Sequence, residues 1–432
     1  VFPAFRKLRA ARVAFVLALA VAWLSAGAEP FNLARVQSRS PNDFTPDWVA
    51  AHAWVHGGPH GAGAAAVLDG EAGNVYGRSV GAPPVALHAA YYVHPPTAFL
   101  VLIPLVPLGF RGAAVAWILI SFGLLAYLAF RLADVLGRDG ARVRPHLLLA
   151  LLFLWPPVLN NLQMGQWSIA LAATVAAAYA AWERGRRQQS AGWIALATAL
   201  KLTPVLIAPF LVLRDRRTLR GLAVGLGVAA AISLAAGQAV AWAALFRHAG
   251  PNVEVWQTYP TLSIRGLFAR LFAGGPVATP LASAPGLAHL LTPAAAGALG
   301  LAALWLSRGG GAPGRSTEGC RFALWNVFAV VENPLAWEHY AVLLLLPAAL
   351  VWRAAAVQES PRRARAMVGL TALGLLTLSV PKETLYRLAG DVPVSPARGL
   401  LLSVHLAGAL FLFVGAGLGA RASCIDKPAA TK

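Results

Sequence analysis

The stretch "GAAVAWILISFGLLAYLAF", residues 112–130, runs without a single charged side chain. Runs of about 20 apolar residues match the thickness of a bilayer's hydrocarbon core. "GLAVGLGVAAAISLAAGQAV", residues 221–240, reads the same way. Across the 432 residues, 58% are hydrophobic and 12% are charged, and the mean hydropathy is +0.62. A soluble domain of this size carries about twice that charged fraction. The expected fold class is therefore an all-α polytopic membrane protein. Its helices share one bundle, so residues 1–432 are read as a single integral-membrane domain.

The formal charge is +19. Such a basic chain raises the question of nucleic acid. Here the arginines stand in short clusters between hydrophobic blocks, as orientation signals do, and no nucleic-acid partner is expected. The two cysteines, Cys320 and Cys424, are far apart in sequence, on expected cytoplasmic helix ends. They indicate neither a disulfide framework nor a metal site. The N-terminal "FRKLRAARVAFVLALAVAWLSAGA" has the look of a signal peptide, but the many later spans favour an uncleaved first helix.

Charge sets the topology. With Arg6, Lys7, Arg9 and Arg12 in the cytoplasm, 13–28 crosses outward and 29–94 forms a large first extracytoplasmic loop. Further crossings are expected at 112–133, 146–159, 166–182, 219–241, 284–306, 318–331, 340–356, 366–380 and 399–419, with a cytoplasmic tail over 421–432. Basic flanks on both sides of 190–213 call for two short helices, 190–201 and 203–213, broken at Pro204 and meeting near the outer face. The proline-rich 95–109 reads as a partial or re-entrant helix, tolerated only where protein or a cavity covers it. This gives roughly 12 transmembrane segments. It places about 25 Lys and Arg inside and about 10 outside.

The polar outer elements are few. Asp43 and Asp47, in "NDFTPDWVAAHAWVHGGP" (residues 42–59), are four apart and would share a helix face. Asp43 fits a helix cap or a general base at the mouth of an external cavity. Asp47 fits a pocket residue or a helix-start charge. Lys201 interrupts "WIALATALKLTPVLIAPF"; it would snorkel to the interface or bind a lipid phosphate beside a helix N-terminus. Glu338 and His339 open "EHYAVLLLLP", where Trp337 and Tyr340 suit interfacial anchoring and an ionisable pair suits a functional site. His94, Gln166 and Arg265 complete the candidates, Arg265 as a partner for an anionic head group. No Walker loop, dinucleotide-binding glycine pattern or zinc spacing occurs, and no cofactor or metal is expected.

Five motifs occur in order. "DFTPDWVAAHAWVHGG" is similar to "DFxxYYxAAxALLxG", "YVHPP" to "FxYPP", and "MGQWSIALAA" to "xGQxNxxxxx". "AGWIALATALKLTPVLIAPFLVLRDRR" is similar to "AGxxLGLAxALKxxPxLLLxYLLLRRR", and "ENPLAWEHYAVLLLLP" to "SPxSWxHHxVLLLP". Together they resemble glycosyltransferase family 87, the polyprenyl-phosphate-dependent mannosyltransferase-like family. The resemblance implies a bundle of the glycosyltransferase C type and inverting transfer of a sugar, mannose first, from a polyprenyl-phosphate donor to an extracytoplasmic glycolipid or glycan acceptor. Within it, Asp43 matches the catalytic aspartate, His339 the first His of "WxHH" and Lys201 the Lys of "LKxxP". Asp47, His94, Gln166, Arg265 and Glu338 are carried as substrate-binding candidates. Asp47 and His94 stand where the family pattern has tyrosine. Composition rich in alanine and arginine points to a high-GC bacterium, hence a plasma-membrane location. The rival readings are a transporter or lipid-sugar flippase, and a non-catalytic relative.

Overall fold

The computed structural model describes residues 44–56, 94–137, 143–248, 260–308 apart from 276, and 314–421. The expected first crossing 13–28, most of the 29–94 loop, Asp43, Cys424 and nearly all of the 421–432 tail lie outside the described residues. What is described is helical, with only isolated bridges Thr261–Trp337 and Gly275–Ala278.

The helices used below are α1 Phe44–His56, α2 Gly109–Gly137, α3 Pro145–Phe153, α4 Pro156–Met164, α5 Ser168–Glu183, α6 Arg187–Leu200, α7 Ala208–Arg214, α8 Thr218–Ala235, α9 Ala239–His248, α10 Pro285–Ser307, α11 Arg315–Val331, α12 Leu345–Ala356, α13 Pro361–Leu378, α14 Lys382–Asp391 and α15 Val404–Ala420. Four stretches among the described residues are long and apolar enough to cross a membrane: Gly112–Gly137, α8, α10 and Glu338–Ala356. Two bent pairs, α3 with α4 and α13 with α14, raise the number to six if each counts as one span. Helices α5 and α15 and the stretch Thr203–Arg214 are apolar but shorter.

Proline accounts for most differences from the expected spans. The stretch read as one crossing, 146–159, stops at Phe153, restarts at Pro156 and bends by 68°. Pro156 and Pro157 lack the N–H groups that would continue the ladder. Helix α13 ends before Pro381, and α14 leaves it at 77°. The expected 219–241 span divides at Gly237, whose φ of 70° suits only glycine. The stretch 95–109 is a short helix, Pro96–Leu100, followed by a 3₁₀ turn, Ile103–Leu108. The helix of 190–201 ends at Leu200, and the chain resumes as a 3₁₀ turn, Thr203–Ile207, with Pro204 in its first turn.

Burial separates the helices by role. Glu338–Ala356 is 94% buried and runs through the middle of the bundle, whereas α8 and α10 are 17% and 11% buried and present Val224, Val228, Ile232, Leu290 and Leu301 outward. A contiguous exposed apolar surface of this kind is what lipid contact requires. Inside, small residues let helices meet. A Cβ on Gly225 of α8 would lie 2.6 Å from the Cβ of Ala195 on α6, and one on Gly374 of α13 would lie 2.9 Å from the carbonyl of Gly408 on α15. Such contacts drive helix association in lipid, where apolar side chains gain little by leaving the lipid for one another. Cys320 is buried within α11, close enough to α15 that a Cβ on Gly419 would strike its sulfur.

The two ends of the bundle differ. Where α5 ends, Glu183 pairs with Arg353 of α12 at 2.7 Å, and Arg353 also donates to Tyr179 Oη and to the carbonyl of Arg315. Nearby, Glu318 forms an ion pair with Arg214 and accepts from Arg321. Where α5 begins, Trp167 belongs to a separate polar cluster.

Candidate functional site

That cluster is assembled from three distant segments. Pro46 and Asp47 lie in the first turn of α1, where a missing N–H costs nothing and an acid is favoured by the exposed N–H groups. His94 precedes Pro95 and Pro96, and an X–Pro residue is held out of helix. Lys201 closes α6 in extended backbone, with φ −157° and ψ 130°. Thr97 Oγ1 donates to the carbonyl of Ala199, which fixes the Pro96–Leu100 helix to the end of α6.

The side chains form one line. Lys201 Nζ lies 2.9 Å from His94 Nε2, and His94 Nδ1 lies 2.8 Å from Asp47 Oδ1. Trp167 Nε1 donates to Asp47 Oδ2 at 2.8 Å. Lysine offers only donors and an ionised carboxylate only acceptors. His94 therefore accepts at Nε2 and donates from Nδ1. All four residues are buried, Asp47 at 1% exposure and Lys201 at 7%. Lys201 does not snorkel: its ammonium stays inside, and 4.8 Å away is the ring of Tyr340.

Tyr340 joins this line to the "WEHY" segment. His339 is buried, its ring 4.8 Å from that of Tyr340 and edge-on to Trp337. His339 Nε2 and Tyr340 Oη are buried without a hydrogen-bond partner among the described residues. Lys201, His94 and Lys382 are close enough to act on His339 electrostatically. Glu338 is held differently. Its carboxylate accepts from Asn160 Nδ2 at 3.2 Å and from the backbone N–H of Lys382 at the start of α14. It is thereby tied to the first residue of α14.

Gln166 is buried beside Trp167, in the turn where Gly165 takes φ 66°. Trp117 Nε1 holds that turn by donating to the carbonyl of Gly165 at 2.9 Å. Arg265 sits on the short helix Ile264–Phe268, capped by Ser263. The strand-like bond from Leu262 N to Ala336 O places this helix next to Trp337. Arg265 is half-buried, and burial lowers its pKa from the ordinary arginine value. The line thus contains Asp47, His94 and Lys201. Gln166 lies beside its Trp167 member, and His339 lies against Tyr340. Glu338 is drawn toward α4 and α14, and Arg265 stands on the flanking segment.

Two buried residues with polar contacts are not among the sequence candidates. Trp167 supplies the second bond to Asp47. Its only sequence signal is its place directly after "GQ". Arg270 is fully buried and donates to the carbonyl of Gly399 and to Ser403 Oγ. Burial lowers its pKa to about 10, so it remains a cation at neutral pH. Among the described residues, no three His, Cys, Asp or Glu side chains converge closely enough to hold a metal ion.

Neither the curated proteins nor the solved structures yield a match to this chain. Residues 92–331, more than half of it, match the family model described as glycosyltransferase family 87. The matched region takes in His94, Gln166, Trp167, Lys201 and Arg265. The chain belongs to glycosyltransferase family 87.

Proposed function

We propose that the protein transfers a sugar from a polyprenyl-phosphate donor to a glycolipid or glycan acceptor on the outer face of the plasma membrane, within a glycosyltransferase C-type bundle of roughly 12 spans. Mannose is the first donor sugar to test. The observation that carries the reading is the buried ammonium of Lys201 at the break after α6, flanked by His94, His339 and Tyr340. The donor's tail lies in the lipid, and its phosphate meets Lys201, with Arg265 on the flank. The acceptor hydroxyl attacks the anomeric carbon from the side opposite the phosphate. A bond forms between the acceptor oxygen and that carbon, and the carbon–phosphate oxygen bond breaks. Asp43 takes the hydroxyl proton. The basic groups stabilise the charge that develops on the leaving phosphate. His339, whose Nε2 has no hydrogen-bond partner among the described residues, orients a sugar hydroxyl or the phosphate.

The test is Asp43→Asn in protein shown to be folded and membrane-inserted. Loss of a general base lowers turnover of labelled polyprenyl-phosphate mannose by roughly 10²–10⁴-fold. Transfer at the native rate would remove Asp43 from the mechanism.

A further inference from the structure

We propose that Asp47 and His94 are positioning residues for Lys201, and that Lys201 serves the donor only while His94 Nε2 accepts from Nζ and holds it in place. This rests on the reading of Lys201 as a phosphate ligand. Asp47 contacts no reacting group in the scheme, since its two oxygens already accept from His94 and Trp167. Its carboxylate orients the imidazole through Nδ1–H and so presents Nε2 as an acceptor. The chain of three is neutral overall: one carboxylate, one imidazole and one ammonium. That neutrality lets a lysine remain at 7% exposure, because a lone buried ammonium would be costly. The bond to Nε2 and the Tyr340 ring below fix the direction of Nζ, leaving its other N–H groups for the donor phosphate.

The groups facing His94 are Asp47 from α1, Lys201 beyond α6 and His339 from the Glu338–Leu344 turn.

The experiment uses the full-length protein in lipid nanodiscs with labelled polyprenyl-phosphate mannose. His94→Leu removes the acceptor and raises the donor KM roughly tenfold or more, as loss of a charge-assisted hydrogen bond does. His94→Gln is the conservative rescue. Its amide oxygen accepts from Lys201 and its NH2 group donates to Asp47. It recovers donor affinity over His94→Leu. An unchanged donor KM in His94→Leu, or a donor KM in His94→Gln no better than in His94→Leu, would overturn the proposal. Nitrogen NMR of labelled histidine tests the geometry apart from activity. A neutral Nδ1–H tautomer, assigned by its absence in His94→Gln, is expected, and an Nε2–H tautomer sinks the proposal even in active enzyme. If the expected tautomer is found in protein that turns over no lipid-phosphate sugar, the pairing stands and the transferase reading fails.

Discussion

Glu332 follows the last residue of α11, and one of its carboxylate oxygens is buried without a partner among the described residues. Burial pushes its pKa up to about 7. A carboxyl held above its ordinary value binds its proton more tightly in the folded state than in the unfolded chain. Its contribution to stability is therefore fully present below the unfolded value and is lost as pH rises through about 7. At about pH 8 the native protein carries an unfavourable charge, worth about 1–2 kcal/mol once the partial exposure of Glu332 is discounted. Glu332→Gln is accordingly expected to raise the melting temperature in detergent at about pH 8 and to have little effect at about pH 4. Equal shifts at both pH values would show that the carboxyl is not strained. The orphaned oxygen of Glu332 has no counterpart at Asp47, where two donors meet the two oxygens. Asp47 and Asp43 look alike in sequence, four residues apart in one polar stretch. What distinguishes Asp47 is a pair of donors, His94 and Trp167, that reach it from elsewhere in the chain. No local pattern encodes that encounter, and Asp47 therefore reads from sequence as only a helix-start charge or a pocket residue.

Helix α6 matters because its end delivers Lys201, and its position is set by α8. Gly221 and Gly225 of α8 lie one turn apart and face Gln188, Ala191 and Ala195. Gly225→Leu must push the two helices apart, since even a Cβ would fall 2.6 Å from Ala195. Overpacking of this kind costs about 1–3 kcal/mol. Gly227→Leu, on the same helix, is the control, because its Cβ would meet nothing within 4 Å. The expected result is a lower melting temperature and weaker donor binding for Gly225→Leu, and near-native behaviour for Gly227→Leu. Matching losses in both would mean that the contact between α6 and α8 does not set the lysine. At this scale the sequence was informative where proline left no choice. The break between Lys201 and Pro204 was legible, as was the interrupted 95–109 stretch, since Pro204 and the prolines of "PPTAFLVLIPLVP" cannot continue a ladder. The bend between α3 and α4 was not. Residues 146–159 are apolar after His146 and long enough to resemble a span, and Pro156 and Pro157 fit equally well at the start of a new helix.

The whole bundle has a direction, and this ties the site to one face of the membrane. Helix α5 spans about 24 Å at 1.5 Å per residue, from Trp167 beside Asp47 to Glu183 beside Arg353. The Glu338–Ala356 stretch likewise runs from His339 to Arg353, and α10 runs from the segment bonded near Ala336 to Ser307 beside Arg214. Three elements thus separate the lysine–histidine cluster from the arginine-rich end. The arginines continue there through Arg184, Arg186, Arg187, Arg216 and Arg217, and cytoplasmic loops carry such an excess. The orientation can be tested with single cysteines in a Cys320→Ala, Cys424→Ala background. Ser283 and Val394 are exposed toward the site end, and Arg186 and Ser360 toward the other. A membrane-impermeant maleimide should label Ser283→Cys and Val394→Cys in intact cells, and Arg186→Cys and Ser360→Cys only after permeabilisation. The reverse pattern would put Lys201 on the cytoplasmic face and end the case for an external acceptor. Labelling of all four from one side would show that the two polar ends are not on opposite faces of the membrane.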